Sequence, residues 1–191
     1  LLYHFGGIYI DLRCILTDDF KWATDKFEKG YNIVSFKVNY PFMPKNDMLM
    51  ENWFIAVKNK NNYIIKTWKE VFLELLYQIY NNNLDYNKSH IWSKTNKSYI
   101  FPSSRYYLTQ HIAHLYNIEN NYKYKEEFKS SAYLYNANTT ALIDPFININ
   151  KYINILLFGI GYNNNFPLIK ITRHDKKYIK YYCSINLKNI I

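Results

Sequence analysis

The chain has 191 residues, enough for one domain with a substantial core, and 49% of them are hydrophobic, which argues against an intrinsically disordered polymer. Its net charge of +9 favours anionic partners such as nucleotides, nucleic acid or an acidic lipid surface. Cys14 and Cys183 lie far apart among apolar or aromatic neighbours, so they read as reduced core thiols rather than a disulfide framework. No Cys/His spacing suited to a metal occurs, and no apolar run reaches membrane-spanning length; Ile153 to Ile160 is far too short. The 21 tyrosines accompany equally abundant Asn, Lys and Ile, so they do not by themselves mark a binding surface.

The first stretch, Leu1 to Arg13, reads as the end of a helix, a two-glycine turn at Gly6-Gly7, and a short strand of Ile8, Tyr9 and Ile10 suited to burial. Asp11 follows that apolar run, where an unpaired charge is costly. At the carboxyl end of a strand in an open α/β sheet, a carboxylate stands where ligands bind; the alternative is a surface Asp after a turn. Cys14 to Thr17 continues the extended pattern. Asp18 can cap a helical turn ending near Gly30. Ile33 to Val38 alternates like a half-buried strand, and Tyr40 to Pro44 breaks it into a loop that runs on through Asn46-Asp47. Glu51 to Val57 reads as a strand.

A long helix follows, with Ile64, Ile65, Trp68, Val71, Phe72, Leu75, Leu76 and Ile79 on one apolar face, capped by Asn61 or Asn62 and ended by Asn81 to Asn83. Its face is core packing against a sheet. Pro102-Ser103-Ser104 leads into a helix from Arg105 to Tyr116, where His111 and His114 share a face. No acid or thiol accompanies that pair, so a buried, satisfied His111 is the expected outcome rather than a metal ligand. A short helix is expected near Lys123 to Ser130. From Pro145 to the end the only acid is Asp175, against Lys151, Lys170, Arg173, Lys176, Lys177, Lys180 and Lys188.

Three of these stretches carry a resemblance. Leu1-Leu2-Tyr3-His4-Phe5-Gly6-Gly7-Ile8-Tyr9-Ile10-Asp11 resembles the signature of glycosyltransferases with a DXD-type sugar-binding motif. Arg13 stands where the second acid of that motif belongs, so the chain is more similar to the capsular polysaccharide synthesis family, which keeps one Asp. Asn52-Trp53-Phe54-Ile55-Ala56 resembles the segment that follows this region, and Phe166 to Thr172 resembles the family's late basic segment. Tyr107 and His111 match a family helix in which Tyr106 replaces an Asp.

The resemblance implies an α/β, partial GT-A-like (Rossmann-like) glycosyltransferase sheet with flanking helices, a single domain over 1–191 forming the C-terminal part of an enzyme whose N-terminal half-sheet is missing. It implies transfer of a sugar from a nucleotide-sugar donor to a glycan acceptor. Asp11 and Arg13 would be catalytic. Gly6, Gly7, Tyr9, Asp11, Arg13 and Lys170 would bind the donor, with Arg173 and His174 in reserve for its diphosphate. Asn52 and Trp53 would line the acceptor side, and Asp11 would hold Mn²⁺ or Mg²⁺. A diphosphate leaving group needs such a cation, or guanidinium and ammonium groups in its place. Arg13 is equally suited to an ion pair with Asp18 or Asp19. The expected partners are the donor, the acceptor and the remaining N-terminal half, with no nucleic acid. The expected location is cytoplasmic, with a peripheral membrane contact left open. The competing readings are a basic polyanion-binding module, supported by charge and interleaved aromatics, and a degenerate, inactive transferase.

Overall fold

The computed structural model describes residues 1–12, 14–16, 18–38, 48–80, 88–96, 109–142 and 168–170. Arg13, Cys183, Arg173, His174, Tyr106, Tyr107 and the stretches 39–47, 81–87, 97–108 and 143–167 lie outside the described residues. The chain divides into two compact units, the first formed by Leu1–Ile10 with Lys21–Asn136, the second by Asp11–Phe20 with Ala137–Ile191.

The first unit is mixed α/β. Its strands are β1 (Gly7–Ile10), β3 (Ile33–Lys37), β4 (Phe54–Val57) and β5 (Ala132–Asn136), in the order β1-β4-β3-β5. β1 and β3 each run antiparallel to β4, and β3 runs parallel to β5. The strand β2 (Cys14–Leu16) belongs to the second unit. Among the described residues the helices of the first unit are α1 (Leu2–Phe5), α2 (Lys21–Glu28), α3 (Tyr63–Tyr80), α4 (His90–Ser93), α5 (Thr109–Asn120) and α6 (Tyr122–Ser131).

The sheet is covered on both faces. On one, Trp22 of α2 packs its ring against Phe36, Phe54 and Tyr135 at centroid distances of 5.8, 4.8 and 5.4 Å. On the other, Ile33, Ile55 and Val57 join Ile64, Ile65 and Trp68 of α3, Ala113 and Ile118 of α5, and Tyr124 and Phe128 of α6. This double cover corrects the half-buried reading of β3, in which Ile33, Val34, Ser35 and Phe36 are all buried. Ser35 mimics alternation in the sequence. Its hydroxyl tolerates burial because it donates to the Phe54 carbonyl at 2.6 Å, with the Glu51 carbonyl at 3.0 Å.

Strand β4 begins at Phe54 rather than Glu51, so Asn52 and Trp53 lie in the bend that feeds it. Helix α3 keeps the expected apolar face, and Asn62 caps it by accepting from the Ile65 amide at 3.1 Å. Helix α5 runs past Tyr116 to Asn120, buried nearly all round. Asn121 then caps α6 by accepting from the Tyr124 amide at 3.0 Å. Asp18 does not cap α2, which starts at Lys21; its carboxylate accepts from the Asp19 amide instead. The short α4 was not read from the polar stretch around it. Among the described residues no helix is long and apolar enough to cross a membrane.

The second unit pairs β2 antiparallel with β6 (Leu168–Lys170), placing Cys14 opposite Lys170 and Leu16 opposite Leu168. A 3₁₀ turn at Ala137–Thr139 leads to Leu142, which bridges to Lys170, and the Lys170 amide donates to the Ala141 carbonyl at 2.8 Å.

The glycine turn at the start is built as expected, with α1 closing at Gly6 and β1 opening at Gly7. Both have positive φ, 69° and 92°. They differ in surroundings. A Cβ on Gly6 would stand 3.1 Å from the Val57 carbonyl oxygen, whereas one on Gly7 would meet nothing within 4 Å. Backbone strain alone costs about 1–2 kcal/mol at either position. Gly6→Ala adds a clash with strand-end backbone and is expected to lower the melting temperature by several degrees more than Gly7→Ala in parallel thermal melts.

Candidate functional site

Asp11 immediately follows β1 in the chain, as the sequence suggests, but β1 is an edge strand with Tyr9 about half exposed, not a buried one. Within the second unit Asp11 meets Lys170 across 159 positions of sequence, the ammonium donating to the carboxylate at 2.6 Å. Two residues singled out separately for the donor side therefore come together. The register of β2 against β6 makes this contact possible, since it brings the start of β2, just after Asp11, opposite Lys170. Lys170 has only 8% of its side chain exposed and Asp11 34%, so the pair is poorly screened at the lysine end. Cys14, opposite Lys170, has its thiol pushed up to about 11 by burial, with the nearby ammonium opposing that shift. It is a poor nucleophile at neutral pH.

At Asp11 a divalent cation would have to displace the Lys170 ammonium. Mn²⁺ or Mg²⁺ takes several oxygen ligands in a near-octahedral shell. Among the described residues no group of three His, Cys, Asp or Glu side chains is placed to hold a metal ion. The Asp11 carboxylate faces an ammonium, and Arg13 stands two positions on. The charge available to a divalent ion at Asp11 is thus offset by the Lys170 ammonium.

The other expected site residues lie in the first unit. Gly6 and Gly7 shape the turn into β1. Tyr9 and Asn52, expected on the donor and acceptor sides respectively, line one and the same cavity of about 210 Å³. Trp53 is not on it. Its ring is 5% exposed and stacks on Phe36 at 4.4 Å, which makes it a core side chain. The aromatic walls come instead from Trp68 and Phe72 of α3, read from the sequence only as packing. Helical spacing could not separate them from the core, since an apolar face packs and lines a cavity with the same residues.

Two cross-element contacts organise this region. Asn52 donates its amide to Gln110 Oε1 at 2.8 Å, and the Gln110 carbonyl accepts from the Trp68 indole at 2.7 Å. Directly adjacent in sequence, Glu51 faces His111 at 3.5 Å with both side chains buried. His111 is therefore buried but not satisfied. Its ring nitrogens make no hydrogen bond among the described residues. Gln110 carried no sequence signal beyond its place beside His111.

His114 is the satisfied histidine. Its Nε2 lies 2.7 Å from the Met48 carbonyl, which can only accept, so Nε2 carries the proton. Nδ1 then accepts from the Tyr124 hydroxyl at 2.7 Å. With both nitrogens engaged, His114 cannot ligate a metal alongside His111 without losing one of these bonds. Burial pulls His114 down from 6.5 to about 4, with the Met48 carbonyl opposing and His111 adding to the shift. The unfolded chain thus binds more protons between those values. The stability contribution is complete above about pH 6.5 and is lost progressively as pH falls toward 4, amounting to roughly 3 kcal/mol. Urea unfolding at pH 7 and pH 4.5 is expected to show this loss in the native sequence and a clearly smaller loss in His114→Gln. Equal pH dependence in both would assign the acid sensitivity to other groups.

No family model matches the chain, and neither a curated protein nor a solved structure does.

Proposed function

We propose that the chain is a glycosyltransferase of GT-A-like fold, nearest in its motifs to the capsular polysaccharide synthesis family, moving a sugar from a nucleotide-sugar donor to a glycan acceptor. The observation that carries this reading is the 2.6 Å contact between Asp11 and Lys170. It joins the carboxylate of the Gly-Gly-strand-Asp stretch to the lysine of the late basic segment. Their chemistry suits a donor diphosphate. In transfer, the bond from the sugar's anomeric carbon to the diphosphate breaks, a bond to an acceptor hydroxyl oxygen forms, and that hydroxyl's proton leaves with the diphosphate or solvent. Negative charge grows on the departing diphosphate, and preorganised cations stabilise it. Lys170 would turn from Asp11 to the diphosphate, with Arg13 as a second, bidentate cation. Asp11, released from the ammonium, would accept from a donor hydroxyl. The ammonium already at Asp11 favours these side chains as the charge-neutralising groups.

Two readings compete. A resting carboxylate capped by lysine also suits a degenerate transferase that no longer turns over. The charge of +9 suits a polyanion-binding module.

The test is a thermal-shift panel of nucleoside diphosphates with and without Mn²⁺, on the 191-residue chain, Lys170→Ala and Asp11→Asn. A ligand bound only by the folded chain raises the melting temperature by mass action. The expected result is a metal-independent rise with one nucleotide, abolished in Lys170→Ala. A rise that requires Mn²⁺ and vanishes only in Asp11→Asn would return the diphosphate to a metal. A steeply salt-dependent rise with any nucleic acid, and none with nucleotides, would favour the binding module.

A further inference from the structure

We infer that the cavity of the first unit, between β1, β4, α3 and α5, is a pocket for a nucleobase, read by the paired amides of Asn52 and Gln110.

Size and polarity lead to this ligand. The cavity holds about 210 Å³, below the roughly 300–1,000 Å³ of pockets for larger ligands, so it suits one ring system. Its walls among the described residues are mainly Ile55, Ile65, Trp68 and Phe72, with Tyr9 on the edge strand. The polar groups are few: the two amides and Lys69. A pyranose carries hydroxyls around its whole rim. Sunk into such walls, most of them would be left without partners, at about 1–3 kcal/mol each. A nucleobase has two apolar faces and confines its hydrogen bonding to its edges, which is the distribution the cavity offers.

The amides supply the edge recognition. The bond between them uses an Asn52 Nδ2 proton and Gln110 Oε1. Among the described residues no bond uses Asn52 Oδ1 or Gln110 Nε2. One acceptor, Asn52 Oδ1, and one donor, Gln110 Nε2, are thus left on two side chains that line the cavity, the kinds of group that a base edge pairs with. The Gln110 backbone is fixed by the Trp68 indole bond at 2.7 Å, so the polar end and the aromatic wall are built as one piece. Aromatic stacking on a base is worth about 1–3 kcal/mol. Lys69 is exposed, with its ammonium 4.7 Å over the Tyr3 ring, and it gives this region positive charge. That charge favours a base attached to phosphate over a cationic ring.

The pocket stands on the first unit alone, and a base bound there needs neither Asp11 nor Lys170. It assigns Asn52 to a base rather than to the acceptor.

The test uses unphosphorylated nucleosides, so that contacts to a diphosphate play no part. Saturation-transfer NMR on the full chain with uridine, cytidine, adenosine, guanosine and methyl glucoside is expected to saturate base protons of at least one nucleoside more strongly than its ribose protons. Methyl glucoside is expected to give no signal. Gln110→Glu keeps the acceptor for Asn52 and removes the Nε2 donor, and it is expected to weaken nucleoside binding about tenfold or more with the thermal melt retained. Because the nucleosides carry no phosphate, failure of the diphosphate reading is seen separately. Absence of nucleoside signals from the native chain would overturn the inference, as would signals indifferent to Gln110→Glu. Saturation of methyl glucoside that is lost in Gln110→Glu would overturn it in favour of a sugar pocket.

Discussion

The first unit depends on burying β3 and β4 from both sides at once. Trp22 of α2 closes one face of these strands, and the apolar stripe of α3 with α5 and α6 closes the other. Polar groups caught between these layers are costly without an internal partner, and with the exception of His111 the polar features below follow from that demand. Ser35 donates to carbonyls at the approach to β4. His114 accepts a hydrogen bond from the Tyr124 hydroxyl and donates one to the Met48 carbonyl. Asn52 and Gln110 satisfy each other in part, and both line the cavity.

The features legible in the sequence were those carried by short-range rules. The glycine turn needs positive φ, and only glycine supplies it cheaply. The face of α3 follows from helical spacing, and its cap from an asparagine before Tyr63. What was misread depended on long-range packing. Ser35 looked like the polar half of an alternating strand because the second helical layer cannot be seen from local pattern. Trp53 looked like a stacking platform because an aromatic beside an asparagine has the same local appearance whether it faces a ligand or Phe36. Asp18 looked like a helix cap because the three residues before Lys21 contain two acids and no competing signal.

The candidate site divides along the same line. Asp11 and Lys170 were named from local motifs, yet their contact is a product of the β2–β6 register, which no motif encodes. The cavity shows the reverse case. Tyr9 and Asn52 were assigned to different substrates, and the fold gathers them with Trp68 and Gln110 around one ring-sized space. A chain of this charge has many cations to offer a phosphate. The lysine at Asp11 differs from a surface lysine because it is nearly buried and already oriented by a carboxylate, which in the proposed reaction would reduce the reorganisation needed as charge develops.

The most direct measurement is turnover. The 191-residue chain is incubated with a set of sugar nucleotides and oligosaccharide acceptors, and release of nucleoside diphosphate is followed over time. The account predicts release with at least one donor, lowered about a hundredfold or more in Lys170→Ala, as for loss of a preorganised charge-stabilising group. Release that is equal in the native chain and in Lys170→Ala, or no release with any donor despite nucleotide binding, would contradict the assignment of Lys170 and Asp11 as the catalytic pair.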